Sequence, residues 1–466
     1  MAAAERLDAA GVDVVVLEAV DAVGGRTRSL LLGPDHRLDA GAAWLTSFYH
    51  DTLELAEGLA LIPRDIHGVP DLLVDGVRRP APFGPAELAR TPLLSNRERL
   101  RFLRWAAGAL RRHPLAEVPA RVTASDLVSA ESAVRAAVGP GVVEHLLRPA
   151  FETMVFAELG ELSADFVEGW VRAALTARYW VPADGMDAPW RRLAARLDVR
   201  TGCAVTSVRR VGGGAGDRVG GGVGDRAGGG AGDRAGGGAG DRVGGGVGDR
   251  VGGGAGDRVG GGEVGGVEVE PVGRFDAAVV AVPAPVAARI VAPGEPGRPG
   301  WLGSVRHSAH VLAHAVRTHP CPPEGSDVHP GGAGRHRVGS VALGPGGDGR
   351  VPVGMQGATV SAEGWWSAEL IAEGLDDEAL AARLWDEGRR LEPALFPLDE
   401  AVRWVVVRHD HAVPVFEPGH LTRLRDWSPS APIALAGDWS VYPCIEGAVR
   451  SGRRAADVLL AARTLA

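Results

Sequence analysis

The stretch Val12 to Thr27, VDVVVLEAVDAVGGRT, restricts this chain more than any other. It joins a short apolar strand to a carboxylate and a glycine turn. Val12, Val14, Val15, Val16 and Leu17 form a β-branched run after Gly11, the pattern of a central parallel strand covered on both faces. Glu18 ends the run. A carboxylate at the carboxyl end of such a strand can accept two hydroxyl donors from a ribose, each a charge-assisted hydrogen bond. The turn Gly24-Gly25-Arg26-Thr27 brings bare backbone and a guanidinium close by, which suits a phosphate. Taken alone, these glycines read equally well as an ordinary tight turn.

The other end of the chain supplies a second pattern. Ala436-Gly437-Asp438-Trp439, Ile445-Glu446-Gly447-Ala448-Val449 and Ser451-Gly452-Arg453-Arg454-Ala455-Ala456 read as a strand, a glycine-acid turn and a last helix. With both ends in place, the chain resembles the superfamily of FAD-dependent amine oxidases, protoporphyrinogen oxidases and phytoene desaturases. The resemblance implies an α/β fold: an FAD-binding Rossmann-like (doubly wound) domain interleaved with an α+β substrate domain. It also implies FAD as cofactor, held by Glu18, Gly24, Gly25 and Arg26 at one end and Gly437, Asp438, Ile445, Glu446 and Ala448 at the other. Between them, His36 to Leu45 is similar to the family's DxGxxW-like segment, so Gly41, Ala42, Ala43 and Trp44 are expected beside the flavin ring, although Trp44 reads more readily as a large residue closing the core. The backbone at Val205 is expected to face the adenine.

Three departures stand out. The family's GxGxxG loop, whose amides receive the pyrophosphate, is not in the given chain, because Met1 leads at once into Ala2 to Leu7, the middle of the first helix. Either the start lies downstream of the true one or the chain is a flavin-free relative. Val20 and Ala22 stand where the family often has arginines, which weakens pyrophosphate anchoring. Finally, every basic side chain apart from histidine is Arg. Many amine oxidases of the superfamily hold a Lys near the flavin through a water, and this chain has none to offer.

The 466 residues exceed one typical domain, and a net charge of -8 argues against nucleic acid or an anionic membrane as the main partner. Cys203, Cys321 and Cys444 are odd in number and lack metal spacing, so no disulfide is expected and a cytoplasmic location fits. Glu5 and Asp8 stand where a signal peptide would be basic, and no apolar run approaches the ~20 residues of a membrane span.

The expected division is a cofactor domain from 1–66, 187–290 and 419–466, and a substrate domain from 67–186 and 291–418. Asp75-Gly76 reads as a hairpin turn. From Pro85 to Arg178 the pattern is helical, with Leu100, Phe102, Leu103, Trp105, Ala106 and Leu110 on one element, Ala124 to Ala137 on a second and Val142 to Ala150 on a third. Val181 to Met186 is similar to a P-x-G-G-M turn of the protoporphyrinogen oxidase and desaturase branch. Inside 211–265, six octads of the form VGGGAGDR run from Val211 to Arg258. Each carries four Gly and balances Asp with Arg, so they are expected to bury almost nothing and to stay disordered in a lengthened hairpin. On a predicted strand from Arg306 to Val316, His307 faces away from His310 and His314, which argues for structural roles and no metal. Trp365-Trp366 opens a predicted helical stretch, Ser367 to Leu391. Arg403-Trp404, His411 and Pro414 resemble the family's strand leading out of the substrate domain.

The function expected from the resemblance is removal of a hydride from a carbon of a small organic substrate, with oxygen or another electron acceptor as partner. No side chain announces itself as catalytic, since the flavin supplies the redox chemistry. A protoporphyrinogen oxidase or desaturase-like activity ranks first, because the missing Lys disfavours the alternative, a flavin amine oxidase. A non-catalytic pseudoenzyme is the third reading.

Overall fold

The structure, a computed structural model, describes residues 1–33, 36–65, 70–112, 122–174, 177–211, 266–317, 326–330, 336–344, 356–391 and 401–465. The first helix, Ala2–Ala9, buries Ala2, Ala3, Ala4 and Leu7. These pack towards the last helix, Ile445–Leu465, where a side chain on Gly452 would meet the Ala3 backbone at 3.2 Å. The first strand is Val15–Leu17, shorter than the predicted run. The Val12 amide turns back to the Leu7 carbonyl as the helix exits, and Val12 and Val14 pack with Ala3, Leu7 and Ala456.

That strand pairs in parallel with Asp198–Arg200, and Ala278–Ala281 pairs in parallel with Ile433–Ala436. All of Ile433–Ala436 is buried, as a covered parallel strand requires. Helices and parallel strands thus form a Rossmann-like α/β unit, carried among the described residues by two short pairs.

Ser207–Val211, Gly266–Glu270 and Gly273–Phe275 form an antiparallel meander. Its first two strands end on the pair Val211↔Gly266. The rest of the octad insertion, 212–265, lies outside the described residues, and so does Cys321.

A seven-stranded sheet forms the other half. Its order is Ala401–Pro414, His307–Arg317, Gln356–Ala362, Val338–Gly344, Ser326–Pro330, Asp71–Val74 and Val77–Pro80. The two distant stretches join where Ser326–Pro330 runs parallel to Asp71–Val74. Asp75 and Gly76 make the expected hairpin, both with positive φ (51° and 74°). Trp366, Leu370, Leu380 and Leu384 cover the sheet at Val311, Ala313 and Val360. The helix predicted over Ser367 to Leu391 is two helices, Gly364–Glu373 and Asp377–Leu391. Gly374 at φ 65° ends the first, and the Asp376 carboxylate accepts the Ala379 amide at the start of the second.

The helical region holds Asn96–Arg112, Ala130–Val138, Pro140–Val142 with a π-helical turn Val143–Leu147 running into Arg148–Val155, and Ala164–Ala174. Asn96–Arg112 carries the expected apolar residues on one helix, of which Phe102 and Ala106 turn inwards with Ala109, whereas Leu100 and Leu103 are 61% and 55% exposed. Ala124–Leu127 is a separate 3-10 turn. No helix of the described residues is long and apolar enough to cross a membrane.

Candidate cofactor site

The glycine turn is held from three sides. Gly24 and Gly25 have φ of 110° and 51°, conformations that favour glycine. The Thr27 hydroxyl donates to the Gly24 carbonyl at 2.7 Å, and the Trp190 indole donates to that hydroxyl in turn. The Ala42 amide donates to the Arg26 carbonyl at 2.9 Å, and a side chain at Gly41 would come within 1.9 Å of that oxygen. The turn and the segment Gly41-Ala42 therefore close on each other, and only glycine fits at 41.

Arg26 reaches across 412 positions to Asp438, with both guanidinium nitrogens on the carboxylate at 2.6 and 2.9 Å, and donates to the Ala412 carbonyl at 2.8 Å. Burial opposes the charge of Arg26, but the field of Asp438 outweighs it and raises the Arg26 pKa. The sequence offered this guanidinium to a phosphate. The structure commits it to Asp438, so it acts as a clamp between the two ends of the chain. Gly437, at φ 155°, donates its amide to the Ser451 hydroxyl, and a side chain there would lie 2.4 Å from the Trp439 indole nitrogen.

Glu18 sits where the first parallel pair ends. Its amide donates to the Arg200 carbonyl at 2.9 Å, and its own carbonyl accepts the Cys203 amide at 2.8 Å. This lays the partly buried Val205 segment alongside it. One carboxylate oxygen accepts the Val20 amide at 3.1 Å; the other has no hydrogen bond among the described residues.

Glu446 and Trp44 differ from expectation. The Glu446 carboxylate accepts the amides of Asp51 and Thr52 (3.0 and 2.9 Å) and the Thr52 hydroxyl (2.7 Å). It thereby caps the helix His50–Gly58, whose own N-cap residue Tyr49 makes no capping bond with its side chain. Trp44 does not close the core. It is 40% exposed, edge-on to Tyr179, because the short strand Leu45–Thr46 directs Leu45 inwards and leaves Trp44 on the rim. Ile445 is buried, and the Ala448 amide donates to the Cys444 carbonyl at the start of the last helix.

A group of histidines at this clamp was not legible as a site. The His409 Nε2 lies 2.6 Å from the Ala40 carbonyl oxygen, His307 and His411 face each other at 5.7 Å, and His310 stacks on Phe156 at 3.9 Å. Burial, opposed by Asp438 and reinforced by Arg26, holds the His307 pKa down to about 4, so its ring is neutral at pH 7. Its Nε2 is buried without a hydrogen-bond partner. His314 instead bonds the Thr359 hydroxyl at 2.8 Å. Only the pairing of His307–Arg317 with Ala401–Pro414 brings His307 and His411 together, and no linear spacing signals it.

These residues fit a flavin nucleotide in part. A carboxylate with a spare oxygen stands at the end of a parallel strand, a bare glycine turn follows it, and buried donors lie near the last helix, with Trp439 Nε1 and the Tyr442 hydroxyl both unbonded. Glu18, the backbone of Gly24 and Gly25, and the segments at Gly41, Val205 and Gly437 would hold it.

Similarity to known proteins bears on the fold and the family. Cyclohexylamine oxidase from Brevibacterium oxydans IH-35A superimposes with a TM-score of 0.67 at 17% identity, covering 99% of this chain and 96% of that one. A putrescine oxidase bound to putrescine gives a TM-score of 0.65 at 17% identity and the same coverage. A protein of Exiguobacterium sp. 255-15 assigned as a protoporphyrinogen oxidase gives 0.64 at 14%, covering 98% and 95%. No curated protein sequence matches the chain. The family model described as flavin containing amine oxidoreductase matches residues 1–234 and 253–460, and the chain belongs to that family of oxidoreductases.

Proposed function

We propose that this protein is an FAD-dependent oxidoreductase that removes a hydride from a carbon of a small organic substrate, with oxygen or another electron acceptor completing the cycle. The observation that carries the reading is Glu18 at the end of a parallel strand, beside the Val205 segment and with a carboxylate oxygen free. FAD, when bound, supplies the hydride acceptor. Glu18 accepts ribose hydroxyls, and the turn at Gly24 and Gly25 allows close backbone approach. The Arg26–Asp438 clamp fixes that turn to the 3-10 turn Asp438–Ser440 ahead of the last helix. His307, neutral and unbonded at Nε2, stands beside the clamp as a polar group with one nitrogen unengaged.

Carbon dehydrogenation of an apolar or conjugated substrate ranks first on the sequence, because the chain has no Lys. One observation favours the second reading, amine oxidation: the cavity that His307 lines is walled by four glutamates, Glu152, Glu158, Glu161 and Glu363. An anaerobic panel of amines and conjugated substrates, scored by flavin bleaching, separates the two. Glu18→Ala is expected to weaken FAD binding by about 1 to 3 kcal/mol, measured by flavin titration. Unchanged affinity would mean that Glu18 only accepts the Val20 amide.

A further inference from the structure

A cavity of about 140 Å³ lies between the helix Arg148–Val155, the turn Leu159–Glu161, the start of the strand His307–Arg317 and the start of the helix Gly364–Glu373. A side chain at Gly364 would collide with the Phe156 carbonyl at 1.7 Å, so these helix ends abut and wall the cavity on one side.

The charges on the wall do not cancel. Arg148 is held by Glu131 at 2.9 Å and Glu144 at 3.3 Å, and approaches Glu152 only to 3.8 Å. Arg306 is divided between Glu161 and Glu417, each at 2.8 Å. Arg306 thus answers Glu161 on the wall and Glu417 off it, and Arg148 makes its shorter contacts off the wall, so two cations face four wall carboxylates. Glu152 keeps one hydrogen bond, from the Leu159 amide at 3.0 Å. Glu363 is 8% exposed, yet it caps no helix end with its side chain and makes no ion pair among the described residues. The fields of His329 and the Gly364 amide are what favours its charge. Burial first, then neighbouring carboxylates, push Glu152 up to about 8 and Glu363 up to about 7. Buried Glu363, with no ion pair among the described residues, and half-buried Glu152, with only the 3.8 Å approach of Arg148, thus line one small space with little counter-charge, a state that costs free energy unless protons or a cation fill it.

We propose that this cavity binds the cationic end of a small organic molecule, an ammonium or guanidinium on a short apolar stem, with Glu152 and Glu363 as its anionic partners. The volume is close to that of a benzene-sized cavity, about 150 Å³, so the group admitted has about six heavy atoms. Phe156 and Trp365 on the wall suit a cation with an apolar stem. Among the described residues no three His, Cys, Asp or Glu side chains are set to hold a metal ion. His307 lines the same cavity and lies within the field of Arg26 and Asp438, so the bound cation borders the cofactor clamp. As a substrate subsite this rests on the hydride-removal reading above; as a cation site it stands without it.

The test is calorimetric titration of the purified protein at pH 7 with propylammonium, with propylguanidinium and with neutral 1-propanol, repeated in two buffers of different ionisation heat. Saturable binding of at least one cation, with proton release and no binding of propanol, is expected. Glu363→Gln and Glu152→Gln, nearly isosteric with the protonated acids, are each expected to weaken it roughly tenfold or more and to reduce the proton release. Thermal melting checks that each variant folds, and if one does not, the other decides. Propanol binding as well as the cations, cation binding unaltered in a folded variant, or no saturable binding by either cation would overturn the proposal. Because no flavin is needed for this readout, cation binding in a protein that never takes up FAD would refute the proposed function and leave the site intact.

Discussion

Glu446 separates two explanations of the carboxyl-terminal motif. If its carboxylate serves the cofactor, Glu446→Ala should lower flavin affinity and leave the fold alone. The structure predicts the reverse. Two amides and one hydroxyl donate to this buried carboxylate, and the Thr52 side chain that supplies the hydroxyl is in a residue only 2% exposed. Hydrogen bonds to a charged group contribute about 1.5 to 3 kcal/mol each, and an N-cap about 1 kcal/mol, but bonds sharing one acceptor do not add. Roughly 3 kcal/mol is therefore the expected local loss. Arg450, which contacts both Asp51 and Glu446, loses the second contact and keeps the first. The assay is amide hydrogen exchange at Asp51 and Thr52, where a loss of that size speeds exchange by about a hundredfold. Thr52→Val in the Glu446→Ala background should cost little more, since the hydroxyl's partner is already gone. Unchanged protection at both amides, together with a loss of flavin affinity, would refute the capping argument.

Arg26→Ala leaves the Asp438 carboxylate buried without its partner and should destabilise the protein by about 3 kcal/mol in denaturant unfolding, with Asp438→Asn in the same chain restoring part of the loss. The carboxyls Glu152 and Glu363, raised above their unfolded values, contribute stability that is present at low pH and is lost as pH rises through about 7 to 8. His307, His310 and His420, depressed to about 4, 3 and 4, act in the other direction and lose their contribution as pH falls below 6.5. Stability measured by urea titration should accordingly decline between pH 6.5 and 8, and Glu363→Gln should flatten that decline; an equally steep fall in the variant would refute it. Deleting 212–265 and closing Val211 to Gly266 with a two-residue turn should leave melting temperature and flavin content unchanged, because the two residues already face each other in register.

Local pattern decided a good deal of this protein. The β-branched run ending in Glu18, the turn with two positive-φ glycines and the buried strand before Gly437 each follow from a few adjacent residues whose backbone preferences agree, so the family and the α/β architecture were readable at the two ends. Periodicity gave the helical region but not its buried face, as exposed Leu100 and Leu103 show, because apolar residues on several sides of a helix leave the choice to its neighbours. The roles of charged side chains were decided only in three dimensions. Arg26 finds Asp438, Glu446 finds the amides of Asp51 and Thr52, and Glu152 and Glu363 share a cavity, all across large sequence separations. A charge takes the partner that burial places beside it, and burial is a property of the assembled chain. The sequence therefore determined which segments could hold a cofactor, whereas packing determined which side chains remain free to bind anything.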